Sequence, residues 1–345
     1  MFRLPYVPTA DGLIDKTFRS GSKEAKKKRA ASPHIPKDVK RKRGEEERIR
    51  KMSSIILADL KAIIKNFPSY DQLPPFYQEL LDVRINKDTY KKSLGAVQWC
   101  FNNIEALANK NIKKIKYSKT DEINNISNCS SEFMGRSASF INQIAKDLDR
   151  LVEIKGILRS FPAIQKQPTL VIAGFPNVGK SSFLRTLTGS KVKIAAYPFT
   201  TQEIYIGHHN GIKMKYLKYQ VIDTPGLLDR PPGDRNVIEL QAILSMKHLA
   251  DVLLFLIDPT GNLDEQFSLL FEIKKKFTHS PVIVVINKVD IITDKKILDE
   301  IQERLSENKL NDAGVMEICA NEYNDVLNVF CEAEKLFTDF EKYAY

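Results

Sequence analysis

The sequence predicts two kinds of fold in one chain. One is an α/β domain with a mostly parallel, Rossmann-like three-layer sheet built around a P-loop. It is preceded by an all-α helical bundle with a basic N-terminal arm. Three observations carry this. From about residue 53 to 158 apolar residues recur at three- and four-residue spacing, whereas from 169 onward short apolar runs alternate with helical segments. At that change the stretch GFPNVGKSSF, 174–183, follows an apolar run and opens a helical pattern. Nearly all the net charge sits close to the N-terminus. The expected division is 1–52 (extended lead and basic arm), 53–165 (bundle) and 166–345 (α/β domain).

Residues 1–15, with Pro5 and Pro8, read as an extended lead. Residues 16–51 hold fifteen Lys/Arg and five acids, a surplus equal to the +10 of the whole chain. Their two runs, KKKR at 26–29 and KRKR at 40–43, flank SPHIP, with some helix around RGEEERIRKM. A segment of this kind is an electrostatic footprint for a phosphate backbone. A solvated tail is the plain alternative, and a nuclear targeting signal a third if the source has a nucleus. In the bundle, Val97, Phe101, Ile104, Ala108 and Ile112 form one stripe, and Ile141, Ile144, Leu148 and Leu151 another. The stretch 117–131 interrupts them as a loop or weak helix start, and Pro162 with QKQP at 165–168 closes the helical part. Trp99 is read as packing. Strands are expected at TLVIA (169–173), VIDT (221–224), VLLFLID (252–258) and PVIVVIN (281–287). Helices follow the last two, around Asp264–Phe277 and Asp294–Asn308.

No apolar stretch is long enough to span a membrane, and MFRLPYVPTA is no signal peptide. Cys100, Cys129, Cys319 and Cys331 lack metal-type spacing and read as reduced thiols. The expectation is a soluble, cytoplasmic protein. The five histidines form no nucleophilic or metal set, and His208-His209 are expected in a turn.

The motifs carry the chemistry. Glycines in Gly174-x-x-x-x-Gly179-Lys180-Ser181 let successive N–H groups converge on phosphate oxygens, with Phe175, Pro176, Asn177, Val178 and Ser182 in the same loop. Lys180 would reach the terminal phosphates and Ser181 would place its hydroxyl on Mg²⁺. The helix N-terminus adds to the anion site. Asp223 in Asp223-Thr224-Pro225-Gly226 would hold Mg²⁺ through water, and the Gly226 N–H would meet a γ-phosphate. Thr201 in YPFTT is the favoured switch threonine for Mg²⁺ and γ-phosphate, with Thr200 the fallback. Asn287-Lys288-Val289-Asp290 selects the base. One carboxylate, a buried Asp290, accepts both guanine donors, Lys288 covers the ring, and Asn287 ties this loop to the P-loop. Adenine lacks that donor pair, and a missing bond to a charged group costs about 1.5–3 kcal/mol. GTP or GDP is therefore the expected ligand. Cys319, Ala320 and Asn321 would touch the guanine oxygen through their backbone.

GFPNVGKSS, YPFTT, DTPGLLDRP, NKVD and ICANE resemble the five guanine-nucleotide motifs of the Obg-related translation GTPases. NFPSYDQLPPFYQELLD at 66–82, YKKSLGAVQW at 90–99, FMGRSASFINQ at 133–143 and DTPGLLDRPPGDRNVIELQAI at 223–243 are similar to blocks of the nucleolar GTP-binding protein family of the Nog type. The resemblance covers nearly the whole chain and looks like the short archaeal form, without the long C-terminal extension of eukaryotic members. It implies a GTPase of large ribosomal subunit assembly. Its partners would be rRNA and the large subunit or its precursors, with no membrane or DNA. The protein would be monomeric, and nucleolar only in a eukaryote. A binding module whose nucleotide is mainly structural is the alternative. Cys319 and Asn321 depart from the serine and lysine usual in such motifs. Leu227 stands where Ras-type GTPases carry the water-orienting glutamine, so slow unaided hydrolysis is expected. Asn177 matches an asparagine that helps hold K⁺ beside the phosphates in some related GTPases, and Arg230 and Arg235 could meet phosphates or a partner.

Overall fold

The computed structural model describes residues 2–31, 34–119, 123–189, 192–196, 203–225, 228, 245–308 and 313–337. The chain divides into two compact units, Phe2–Leu73 with Arg84–Arg159, and Pro74–Val83 with Ser160 onward.

The first unit is helical: α1 (Ala10–Ala30), α2 (Lys37–Asn66), α4 (Lys87–Tyr117), α5 (Ile123–Gln143) and α6 (Ala145–Ser160). The sequence-based lead and arm need correcting here. The chain is helical from Ala10, with Thr9 Oγ1 capping the Gly12 N–H at 3.2 Å. The basic segment is no arm. It forms a helical hairpin, with contacts between α1 and α2 at residues 16 and 59, 21 and 52, and 29 and 45. The seam is built on small residues. Leu13, Thr17, Gly21 and Ala25 are buried at four-residue spacing against Ile49, Met52, Ile56 and Leu60. A Cβ at Gly21 would sit 2.3 Å from Met52 Cγ, so the helices touch through a missing side chain. In α4 the buried stripe runs Val97, Cys100, Ile104, Leu107, Ala108, Asn111 and Ile115. Phe101 and Ile112, expected in that stripe, are only half-buried on its flank. Ile141, Ile144, Leu148 and Leu151 are all buried. Trp99 is 41% exposed and packs edge-on to Phe140 at 5.5 Å, so it is a surface contact rather than core. All four cysteines are free, and burial pushes the Cys100 thiol up to about 12.

The second unit holds α3 (Pro75–Asp82), α7 (Lys180–Thr188), α8 (Leu263–Lys276), α9 (Lys296–Glu307) and α10 (Tyr323–Leu336). Its strands are β1 (Thr169–Gly174), β2 (Lys193–Ala196), β3 (Glu203–Asn210), β4 (Lys218–Asp223), β5 (Val252–Ile257), β6 (Val282–Ile286) and β7 (Val315–Glu317). The sheet order is β2-β3-β4-β1-β5-β6-β7. Pairs from β4 through β7 are parallel, and β2–β3 and β3–β4 are antiparallel. β1, β5 and β6 are buried along their whole length, as apolar runs in a covered parallel sheet must be. One helix expected in the bundle, α3, belongs to this unit. Tyr77 Oη donates to Pro162 O at 2.9 Å and accepts from Ile164 N at 3.1 Å, with its ring stacked on Phe161. Glu79 meets Lys247 at 3.0 Å and His248 at 2.8 Å. Among the described residues no helix is long and apolar enough to cross a membrane.

The expected turn at His208-His209 is also corrected. Both residues lie in β3, opposite Gln220 and Tyr219. Ile204 and Ile206 alternate inward and carry the two histidines along as sheet residues. Burial pushes both imidazoles below the ordinary histidine value. Lys218 and Lys193 add to this at His208, while Glu334 opposes it at His209. The sign follows from proton uptake. The unfolded chain protonates near pH 6.5 and the folded chain at lower pH, so stability is full above 6.5 and falls as acid is added. Urea unfolding between about pH 7 and pH 5 should show this loss. A His208→Gln/His209→Gln variant should flatten it, and equal slopes in both proteins would show that these histidines are not the desolvated groups.

Candidate functional site

The carboxyl ends of β1, β4, β5, β6 and β7 meet at one edge of the sheet, where ligands of open α/β folds bind. β1 runs out at Gly174, φ 140°, where a Cβ would lie 2.6 Å from Leu256 O. Asn177, φ 65°, and Gly179, φ 102°, are also left-handed. The loop needs these values to turn its N–H groups inward before α7 begins at Lys180. Val178 is buried, whereas Pro176 and Asn177 are exposed. A cleft of about 370 Å³ is lined by Pro176, Asn177, Gly179, Lys180, Ser181, Ser182 and Pro225.

Lys180 is 5% exposed, and its Nζ donates to Gly174 O at 2.8 Å and to Phe175 O at 2.7 Å, folding the ammonium back over the loop. Ser181 Oγ donates to Asp223 Oδ2 at 2.6 Å. Asp223 is fully buried at the end of β4, and Thr224 Oγ1 pins the following turn to Ile172 O at 3.0 Å.

Asn287 joins three loops. It is 2% exposed at the end of β6. Its Nδ2 donates to Val178 O at 2.7 Å, and its Oδ1 accepts from Ala320 N at 2.8 Å. Gly179 makes room for it, since a Cβ there would lie 2.2 Å from Asn287 Nδ2. Ala320 O in turn accepts from Thr186 Oγ1 of α7 at 2.8 Å, and Cys319 N donates to Asp325 Oδ2 at 2.9 Å. Cys319 is half-buried, Ala320 buried and Asn321 exposed. Lys288, φ 63°, extends to Asp258 Oδ2 at 2.5 Å. Asp258 also accepts from Thr260 N and Oγ1, at 2.9 and 2.6 Å. Burial opposes its charge, but the bonds from Lys288 and Thr260 outweigh it and hold the carboxyl below the usual range. Asp290 was expected to be buried. It is exposed in the 3-10 turn Val289–Ile291, because that turn carries it past the sheet edge.

The structure therefore brings together the loop 174–182, Asp223, Asn287, Lys288 and 319–321. Thr200, Thr201, Gly226, Leu227, Arg230 and Arg235 lie outside the described residues. The sequence reading missed Asp258, Thr186 and Asp325. Asp258 had a signal: it closes the apolar run VLLFLID at the same strand end as the other motifs.

Residues 2–165 match the family described as NOG1 N-terminal helical domain, and residues 169–288 that described as 50S ribosome-binding GTPase. A Methanocaldococcus jannaschii protein described as uncharacterized is 37% identical over 299 residues, 86% of this chain and 82% of that one. Nucleolar GTP-binding protein 1 of Drosophila melanogaster is 37% identical over 276 residues, 75% of this chain and 42% of that one. The chain belongs to the nucleolar GTP-binding protein 1 family. A Plasmodium falciparum crystal structure bearing that name covers 53% of this chain and 93% of its own at 29% identity, with a TM-score of 0.43. This member spans about two fifths of the eukaryotic relatives it matches, 42% in the fly and 38% in Arabidopsis thaliana. Its second unit is a GTPase domain that binds guanine nucleotide.

Asn287→Ala tests how this family member assembles its site. The change would leave Val178 O and Ala320 N without that partner, each at a cost of about 1–3 kcal/mol. Titration with fluorescent GDP should show at least about tenfold weaker binding. A loss below twofold would mean that the loops are held together by other contacts.

Proposed function

We propose that this chain is a GTP-hydrolysing switch of large ribosomal subunit assembly, docked on rRNA in its GTP state and released after hydrolysis. The observation that carries the reading is the clamp from P-loop to base-recognition loop through Asn287, in a chain that also holds a separate unit rich in basic residues. The match to a ribosome-binding GTPase family and the nucleolar names of the relatives support the client. The setting would be the cytoplasm, or the nucleolus in a eukaryote, and the protein would act as a monomer.

Ser181 and Asp223 offer hard oxygen donors already joined by one hydrogen bond, a donor set that suits Mg²⁺. They would hold the ion with Thr201, and Mg²⁺ would supply charge neutralisation at the phosphates. Lys180 would exchange its bonds to Gly174 and Phe175 for phosphate oxygens. Gly226 would meet the γ-phosphate, Asp290 the guanine donors, and the 319–321 backbone the base oxygen. With Leu227 unable to orient water, the chain would depend on an added group. Asn177, exposed at the cleft, would help hold K⁺ in that role.

Co-sedimentation with large ribosomal subunits and their precursors tests the proposal. Retention with a non-hydrolysable GTP analogue and release in GDP is the expected result. Equal retention in both would indicate a constitutive binder whose nucleotide is structural. No retention in either at low salt would remove the ribosome from the account. GTPase rates on those particles should be higher in K⁺ than in Na⁺, and identical rates would exclude the ion.

A further inference from the structure

The helical unit contains a polar cavity that the GTPase reading does not use. It lies where the end of α4 meets the start of α5, has a volume of about 480 Å³, and is lined by Lys114, Tyr117, Ser118, Asn125, Asn128, Cys129 and Glu132. That volume is within the range of small-ligand sites. Tyr117 is 80% exposed, the most exposed large aromatic in the described helical unit. It lines the cavity and is exposed to solvent rather than buried in the bundle.

The surroundings are basic. Lys110, Lys113, Lys114 and Lys116 occupy the last two turns before Tyr117. The lining carboxylate, Glu132, is compensated by Lys114 at 3.3 Å, Lys110 at 3.6 Å and Arg136 at 3.7 Å. The 40–43 basic run is brought to the same place. Lys42 Nζ donates to Lys116 O at 3.0 Å and to Ser118 O at 2.6 Å, capping the end of α4. Cations, an exposed aromatic ring and the side-chain amide of Asn128, with its donor pair and acceptor, thus line one concavity.

We propose that this cavity is a subsite for an unpaired RNA nucleotide. The base stacks on Tyr117, Asn128 hydrogen-bonds its edge, and the lysines at the end of α4 bind the flanking phosphates. Single-stranded RNA is recognised by this combination of aromatic face, amide contacts and basic track. The proposal rests on the rRNA-binding reading above and narrows it to a place and to unpaired bases.

The test measures binding of the full chain to a fluorescent single-stranded RNA oligonucleotide and to a paired duplex of equal length. The single strand should bind more tightly. Tyr117→Ala should weaken it by roughly 5- to 100-fold, as loss of one stacked base does. Tyr117→Phe should retain binding, and Asn128→Ala should lose several-fold. The salt dependence of Tyr117→Ala should match wild type, because no phosphate contact is removed. GDP affinity should be unchanged in all three variants, which reports an intact GTPase domain, and an unchanged helical circular-dichroism signal reports an intact bundle. If wild type binds RNA but Tyr117→Ala binds equally well, or if duplex binds as tightly as single strand, the subsite is wrong while the rRNA reading stands. If wild type binds neither RNA at low salt, both fail.

Discussion

The nucleotide site depends on one buried side-chain amide. Asn287 uses both ends of its carboxamide at once, its nitrogen on Val178 O and its oxygen on Ala320 N. Those atoms belong to three loops far apart in sequence, which leave three different strands. No apolar contact could do this, because dispersion is non-directional and would not fix which carbonyl faces which N–H. The arrangement also dictates a residue on the opposite loop. With a Cβ at Gly179 only 2.2 Å from the amide nitrogen, the glycine that opens α7 is required by both backbone angle and space. Thr186 then carries the connection from Ala320 back into α7, closing a ring of polar contacts around the cleft.

Asp258 plays a parallel part for Lys288. A lysine at the end of a strand would ordinarily extend into water, and fixing its stem costs rotamer entropy. The carboxylate of Asp258, held by both hydrogen-bonding groups of Thr260, gives the ammonium one place to go. The stem is thereby held across the sheet edge. Lys180 is constrained in a similar way by two carbonyls of its own loop. The stem of Lys288 is thus preorganised, and less ordering remains to be done when a base arrives, whereas Lys180 has its two carbonyl bonds to give up for an anion.

What could be read in the sequence follows from which signals are local. The strands β1, β4, β5 and β6 were legible because a strand covered on both faces must be continuously apolar, and the site motifs were legible because each closes such a run. β2 and β3 were not. They lie toward an antiparallel edge, and β2 exposes most of its residues, so its pattern is too polar to mark a strand. His208 and His209 were misplaced for the same reason. The helix α1 was hidden because its inner face uses Gly21 and Ala25, which score as weak or neutral beside six nearby cations, while its fit depends on Met52 thirty-one residues later. Asp290 was expected buried because it was read as the acceptor for both guanine donors, yet it is exposed. The turn that carries it is local, but its exposure is set by the sheet edge. Asp258 closes an apolar run as the motifs do, but its role is defined by a lysine thirty residues on, which the run itself does not mark.

The α1–α2 hairpin holds most of the chain's surplus charge without being driven apart by it, and the magnitudes show why. Its ion pairs, Lys16–Asp59, Arg50–Glu46 and Arg48–Glu45, are mostly at the surface, where each contributes about 0–1 kcal/mol. Burial of Leu13, Ile49, Met52 and Ile56 to 0% exposure contributes about 1.5–3 kcal/mol per side chain. The apolar seam therefore sets the geometry. Glu45, only 4% exposed and joined to both Arg29 and Arg48, offsets repulsion where the two basic runs come closest. Cohesion is thus supplied by the inner face, while on the outer side Lys42 caps the end of α4 and Lys16 pairs with Asp59. Concentrated charge on a rigid hairpin also loses less entropy on binding than the same charge on a free arm.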